Sequence, residues 1–300
     1  MSPFPAYLLL PFLAALVFAT GSLCFKRAFL EGISPSRGMV QTNLTMGLLF
    51  LPLMALDTHP FDPRLLGWPI LAGALFFLGQ GCNFAALRVG DVSLVTPIMG
   101  CKVVLVAVCS RVLFDFPLTH AHWVAATLTT LGVFVLGATD LHRGRRMGLT
   151  TALAVGSSLC FALVDTVIQR GAREFGAYNF LSTLFATLGL ISEALWPWLG
   201  RNQATAPHSA HGWLLGAIIL TAIQGLLISL SIGIWQDATG VNVIYSLRGV
   251  WGVVLVGLLG RWFGNTERHE AGTRTLWFRF FGAGLILLAV ILTFTGTGRR

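Results

Sequence analysis

Two stretches of sequence decide the fold: GDVSLVTPIMGCKVVLVAVCSR at residues 90–111 and GVNVIYSLRGVWGVVLVGLLGR at residues 240–261. They align at a shift of 150 residues, and both open with Gly, contain the run Val-Val-Leu-Val and close with Arg. A hydroxyl side chain, Thr96 or Ser246, occupies the same place in each copy. If each half has five apolar segments, an odd number of membrane crossings gives the second half the opposite orientation. The sequence therefore predicts an inverted repeat, which is typical of alternating-access transporters.

The composition indicates that the solvent of this chain is lipid. Of its 300 residues, 55% are hydrophobic and 11% are charged, and the mean hydropathy is +0.77. A soluble domain carries about a quarter charged residues. The net charge of +8 comes mainly from arginines scattered between apolar segments, whereas a nucleic-acid-binding protein gathers its cations on one face. We therefore expect no nucleic-acid partner and no cofactor, and the five cysteines lack the spacing of a disulfide framework or metal site.

Apolar stretches of about 20 residues recur along the chain, each long enough to cross a hydrocarbon core of about 30 Å. Because backbone groups in lipid must bond internally, these stretches are predicted to be helices. The predicted fold class is an all-α membrane protein with one five-helix half at residues 1–146 and a second at 147–300. The ten transmembrane helices are called spans 1 to 10 and are predicted at residues 5–28, 38–56, 66–88, 92–113, 120–139, 148–169, 178–199, 212–235, 241–261 and 276–296.

Short motifs inside these spans resemble the drug/metabolite transporter superfamily in its EamA-type ten-helix form. The first half has Ala86-Leu87 at the end of span 3, Val95-Thr96-Pro97 in span 4 and Leu131-Gly132-Val133 in span 5. In span 10 the run FGAGLI at residues 281–286 is similar to the final helix of the family pattern, whereas Asp115 stands where a Glu is usual. The resemblance implies a multi-pass transporter with both termini in the cytoplasm. Its motifs are structural, so they imply a fold and not a substrate.

Charged residues deep inside spans indicate a binding site. A mid-membrane Lys or Arg costs about 2.5–3.5 kcal/mol on insertion scales, so such a residue usually faces a cavity or a partner. Lys102 lies near the centre of span 4, and Arg248 lies about a third of the way into span 9. Under the 150-residue shift they fall one helical turn apart on the same face. We expect them to frame a site for a carboxylate or phosphate; the alternative is structural pairing with Asp165 or Glu193.

Further polar and aromatic residues extend this candidate site. In span 9, Tyr245, Arg248 and Trp251 are spaced at i, i+3 and i+6, and an aromatic–arginine face can stack on planar solutes or donate to oxyanions. Simple packing of the aromatic rings against other helices is the alternative. The polar candidates for solute contact or for hydrogen bonds between helices are Asn242, Gln80 and Asn83.

Two acids and one proline complete the candidates. Asp165 in span 6 is the predicted counter-ion or proton carrier, and Glu193 near the end of span 7 is the second, although both could instead lie at the membrane interface. These acids carry the alternative function, which is export of cationic or aromatic compounds. Pro97, at the start of span 4, is a predicted hinge because proline removes a backbone donor, although proline is also tolerated at a helix start.

The sequence lacks the signatures of an enzyme. It contains no H-E-x-x-H, G-x-S-x-G or P-loop motif, and its seven histidines fall in loops or at helix ends, where His120 and His122 are expected to be solvated. A membrane-embedded enzyme remains the distant alternative. We predict a secondary transporter, an exporter or exchanger, of small polar metabolites. Its expected partners are a solute, lipid, and protons or a counter-solute, with the chain a monomer or homodimer in the inner membrane if the source is a bacterium.

The orientation is predicted in two opposite ways. More Lys and Arg residues lie in the odd-numbered connections between spans than in the even-numbered ones. The positive-inside rule would therefore put the odd connections in the cytoplasm and both termini outside. The family resemblance implies the reverse.

Overall fold

All regular structure in the computed structural model is helical. The structure describes residues 6–89, 95, 98–137, 147–199, 207–259 and 273–297, and no strand occurs within these ranges. The α-helices of eight residues or more in these ranges are α1 (Leu9–Leu30), α2 (Pro35–Phe50), α3 (Gly67–Val89), α4 (Lys102–Phe114), α5 (His120–Gly137), α6 (Met147–Phe175), α7 (Ala177–Ala194), α8 (His208–Trp235), α9 (Ala238–Tyr245), α10 (Arg248–Leu259) and α11 (Thr273–Thr297).

The helices follow the predicted apolar segments closely, with three differences that matter for the site. Span 4 contains a turn at Gly100 and Cys101, so Lys102, predicted near the centre of that span, is instead the first residue of α4. Helix α6 continues to Phe175, six residues beyond the predicted end of span 6, so Asp165 lies inside the helix and not near its end. The predicted span 9 is divided into α9 and α10 by a turn at Ser246 and Leu247. Backbone bonds from Ser246 N–H to the Asn242 carbonyl (3.0 Å) and from Leu247 N–H to the Ile244 carbonyl (3.1 Å) keep this turn satisfied, as lipid requires.

The outer surface of the helices suits a hydrocarbon solvent. Six helical segments among the described residues are long and apolar enough to cross a membrane: Leu9–Leu30, Pro35–Leu56, Pro63–Ala86, Gly148–Phe175, His208–Trp235 and Ala238–Leu255. Large apolar side chains stand outward, such as Val112 at 74% exposed and Leu258 at 76% exposed. Such surface is costly in water and expected in lipid. The protein is an integral, multi-pass membrane protein.

The most extensive helix contacts each join one helix before residue 146 to one after it. Helix α1 packs along α8, α3 along α6, α5 along α11, and α2 along α7. Helix α4 packs mainly on α6, and α1 also contacts α9 and α10. The main core therefore lies between the two parts of the chain, so a group buried there is reached from both.

Glycines allow close approach at two of these crossings. In the α5–α11 pair, a methyl group on Gly132 would lie 2.8 Å from the carbonyl oxygen of Gly282, and one on Gly282 would lie 2.7 Å from the carbonyl oxygen of Gly132. In the α2–α7 pair, the Cα atom of Gly189 lies 3.6 Å from the position of a methyl group on Gly47. Small residues are the usual means by which transmembrane helices pack closely.

Candidate functional site

Two cations, Lys102 and Arg248, are each the first residue of a helix in the middle of the molecule. Lys102 is the first residue of α4, directly after a turn at Gly100 and Cys101. Arg248 is the first residue of α10, directly after the turn at Ser246 and Leu247. The first backbone N–H groups of a helix carry a partial positive charge. Some N–H groups at these turns bond to earlier carbonyls, such as Gly249 N–H to the Ser246 carbonyl at 3.0 Å, so mainly the side-chain charges of Lys102 and Arg248 make the position favour a negative partner.

Lys102 has such a partner in Asp165. The Lys102 Nζ atom lies 2.7 Å from Asp165 Oδ2, and the two side chains are 12% and 10% exposed. Asn242 Nδ2 donates to the same oxygen at 2.7 Å and to the Ala238 carbonyl at 2.9 Å. The pair joins α4 to α6, and Asn242 brings α9 to the same point.

Arg248 is held in a different way, between aromatic rings. Its Cζ atom lies 5.1 Å from the centre of the Phe18 ring and 4.6 Å from the centre of the Tyr245 ring. The rings of Phe18 and Tyr245 meet edge to face at 5.9 Å. No carboxylate in the described residues lies within ion-pair distance of Arg248. Cation–π contacts orient the guanidinium and leave its charge without an anionic partner. We call Lys102, Asp165, Asn242, Tyr245 and Arg248 the central cluster.

Trp251 and Gln80 are engaged in contacts between helices. The Trp251 ring meets the Phe12 ring at 5.9 Å, so packing accounts for its position. Gln80 Nε2 donates to Asn43 Oδ1 at 3.1 Å, and Asn43 Nδ2 donates to Gln80 Oε1 at 2.8 Å and to Ser192 Oγ at 2.9 Å. This network ties α3, α2 and α7 together, which is the role expected of buried polar side chains in a membrane bundle.

The remaining predicted residues lie apart from the central cluster. Asn83 is half-buried on α3, and Glu193 is exposed at the end of α7. Pro97 lies outside the described residues. A surface crevice of about 340 Å³ between α2 and α8 contains no member of the central cluster; it is lined by Gln41, Leu44, Thr45, His211, Leu214, Leu215 and Ile218.

A second buried polar group, at one end of the bundle, was missed from the sequence. Asp237, between α8 and α9, accepts from Tyr7 Oη at 3.0 Å and from the Gly240 N–H at 2.9 Å. Its Oδ1 lies 3.6 Å from His122 Nε2. Burial alone would raise the pKa of Asp237, but His122 and these two donors together hold it below its usual range. The prediction that His122 is solvated is wrong, because its side chain is 6% exposed and also contacts Thr119.

A further acid joins the two parts of the chain at the same end. Asp57 Oδ2 accepts from the backbone N–H of Asn179 at 2.8 Å, at the start of α7. Asn179 Nδ2 in turn donates to the carbonyl of His59 at 3.1 Å. Gly176 precedes this helix with a φ of +87°, which a side chain would strain. Asp57 therefore caps α7 from the connection that follows α2.

The described residues contain no group of three or more His, Cys, Asp or Glu side chains placed to hold a metal ion. The central cluster brings together two cations, one carboxylate and an amide, between helices whose outer faces suit lipid. These features define a helical membrane protein with charged side chains held between its helices, and ionisable groups in such places usually have a functional role.

The comparison with known families agrees with the resemblance that the sequence motifs show. Residues 5–138 match the profile of the EamA-like transporter family, and this segment belongs to that family, as its motifs indicated. Comparison with curated proteins gives no match. A crystal structure covers 98% of this chain and 98% of its own, with a TM-score of 0.74 at 19% identity, which establishes similarity of fold alone. This match supports a role in membrane transport of small molecules.

Proposed function

We propose that the chain is a secondary transporter of small polar metabolites that carry an anionic group, working by alternating access between two inverted five-helix halves, residues 1–146 and 147–300. One observation carries the proposal. Arg248 has no carboxylate partner among the described residues and lies in the same cluster as Lys102, and each cation begins a helix. Broken helices whose positive ends point at an anionic solute are a recurring transporter site.

The packing of the helices supports two inverted halves. If spans 1 to 5 are exchanged with spans 6 to 10, the α1–α8 contact becomes the α6–α3 contact, which is also among the most extensive. The same exchange leaves the α2–α7 contact and the α5–α11 contact unchanged, because it only swaps the two helices of each pair. This is expected for helices that meet on a two-fold axis. Gly132 and Gly282, which touch each other at the second of these crossings, are 150 residues apart. In this arrangement α9 and α10 together form the ninth of ten spans.

The charges favour an anion over a cation. A cationic solute would need a free carboxylate, but Asp165 already accepts from Lys102 and Asn242. Glu193 lies exposed at the end of α7. The central cluster has two cations and one anion, so it attracts a negative group. Export of cationic or aromatic compounds through Asp165 or Glu193 therefore receives no support from the geometry.

Transport into proteoliposomes tests the proposal. A panel of labelled anionic, zwitterionic and cationic metabolites is offered to the purified protein, first without and then with a counter-solute or a proton gradient. We expect an anionic or zwitterionic solute to be preferred. Arg248→Gln should lower its uptake at least about tenfold, since a charged hydrogen bond contributes about 1.5–3 kcal/mol. Arg111→Gln is the matched control, because Arg111 lies on α4 with its side chain 52% exposed.

The position of Cys101 offers an independent measurement of binding. Cys101 directly precedes Lys102 and is half-buried, so a solute held in the central cluster beside it should slow its alkylation by a maleimide. The proposal is wrong if only cationic solutes are carried, or if Arg248→Gln and Lys102→Gln both transport the preferred solute at the rate of the parent protein.

A further inference from the structure

The two cations of the central cluster are unequally balanced. Lys102 lies 2.7 Å from Asp165, whereas Arg248 lies against the rings of Phe18 and Tyr245 and has no carboxylate within ion-pair distance among the described residues. The three charged side chains of the cluster therefore sum to one positive charge. That charge resides on Arg248.

The net charge of the central cluster limits the charge of the solute that it can bind. Unbalanced charge is costly where water is excluded. A singly charged anion on Arg248 brings the cluster to neutrality, while a doubly charged anion leaves one negative charge in excess. The second anionic group would also have to displace Asp165 from Lys102. Asn242 holds Asp165 in place through its own 2.7 Å bond to the same oxygen, so this displacement breaks two contacts.

We propose that Asp165 selects the solute by its charge, so that the central cluster accepts singly charged anions and rejects doubly charged ones. This inference rests on the proposed function and deepens it. Arg248 is the anchor for the anion, and Asp165 occupies Lys102 as an internal anionic ligand. Asp165 thus determines which solutes bind, and it does not itself pair with the charge of the solute.

Asp165→Asn tests the idea with little change of shape. The asparagine amide keeps an oxygen acceptor for Lys102 and Asn242 but carries no negative charge. The net charge of the central cluster therefore rises from one to two positive charges. Size-matched probes separate charge from size: succinate carries two charges at pH 7.5, and its half-amide succinamate carries one. Glutarate with glutaramate, and phthalate with its half-amide, extend the series to other lengths and to an aromatic acid.

The readout is protection of Cys101 from maleimide, in a protein whose four other cysteines are replaced by alanine, together with uptake into proteoliposomes. The parent protein should bind the half-amides more tightly than the diacids. Asp165→Asn should raise the diacid-to-half-amide affinity ratio at least about tenfold, the size expected when one close, partly buried charge is removed. Asp115→Asn is the control, because Asp115 is 85% exposed and should leave the ratio unchanged.

A double variant, Lys102→Gln with Asp165→Asn, separates charge from local contact and guards against misfolding of the single variant. It restores one net positive charge without the ion pair, so the affinity ratio should return to that of the parent. A ratio that stays high in the double variant, or one that does not change in Asp165→Asn, overturns the inference while leaving the proposed function intact. If no anion protects Cys101 or enters the liposomes, the proposed function fails, and this inference fails with it.

Discussion

Replacing Gly132 with alanine is expected to destabilise the crossing of α5 and α11. The new methyl group would lie 2.8 Å from the carbonyl oxygen of Gly282 and 3.2 Å from the backbone nitrogen of Ile286. Carbon atoms prefer separations of about 3.5–4.0 Å, and neither backbone atom can rotate away. The two helices must therefore move apart along their contact, which loosens the packing on either side of it.

The magnitude follows from two opposing terms. Overpacking of this kind costs about 1–3 kcal/mol, and backbone neighbours put the cost near the upper end. Alanine regains about 1 kcal/mol of helix propensity over glycine, so the net loss is about 2 kcal/mol. With an unfolding entropy of about 2.1 cal/mol/K per residue, this loss lowers the Tm of a chain of 300 residues by about 3 °C.

Thermal unfolding in detergent, followed by the fluorescence of the nine tryptophans, measures the change. Gly156→Ala on α6 is the matched control: no atom lies within 4 Å of its new methyl group, so its Tm should stay level or rise. Gly282→Ala should match Gly132→Ala, and the double variant should cost less than the sum, because either methyl group alone forces the helices apart. A Tm of Gly132→Ala at or above that of Gly156→Ala refutes the reasoning.

Three further predictions concern charged side chains. Lys102→Gln should destabilise the protein by about 3–5 kcal/mol because it leaves Asp165 buried without its cation, and Asp165→Asn in the same protein should restore most of the lost Tm; no recovery would contradict the pairing. Arg248→Lys keeps the charge but loses the planar contact with aromatic rings, so the KM for the transported anion should rise several-fold in proteoliposomes at an unchanged Tm. Burial would raise the pKa of Asp57, but the N–H of Asn179 and the neighbouring His59 outweigh it and hold that pKa below its usual value. The stabilisation from Asp57 should therefore be present above its ordinary pKa of about 4 and be lost as the pH falls through the lowered pKa. The Tm advantage over Asp57→Asn should shrink as the pH is lowered from about 4; a constant difference would contradict it.

The positions of the helices could be predicted from the sequence because hydrocarbon imposes a local rule. A stretch of about 20 apolar residues must be helical in lipid, and polar residues mark the points where the chain leaves the membrane. The rule misjudged the end of span 6, where Gln169 and Arg170 suggest an exit from the membrane. The helix continues past them to Phe175, and Arg170 and Glu174 pair at 2.6 Å along its surface, which adds slightly to its stability. The break in span 9 carried no signal, since Ser246 and Leu247 are both compatible with a continuous helix.

The central cluster was only partly predictable. The internal repeat indicated that Lys102 and Arg248 lie on related faces, and the cost of buried charge named Asp165 as one of two possible partners. Phe18, which stacks on Arg248, could not be found, because a phenylalanine in an apolar helix has the same sequence context whether it faces lipid or a cation. Its role comes from the contact of α1 with α10, which local sequence does not encode.

The cluster at the end of the bundle shows where such reasoning fails and what would improve it. His122 was assigned to solvent because it lies near a helix start, but a helix start is solvated only if nothing packs over it. Here the turn between α8 and α9 brings Asp237 within 3.6 Å of the imidazole. The informative residue was the acid: Asp237 stands between two strongly apolar helices in a connection of two residues, too short for its carboxylate to reach bulk water with ease. A carboxylate in such a place needs donors from elsewhere in the chain, and here Tyr7 donates to Asp237 at 3.0 Å and His122 lies 3.6 Å from it.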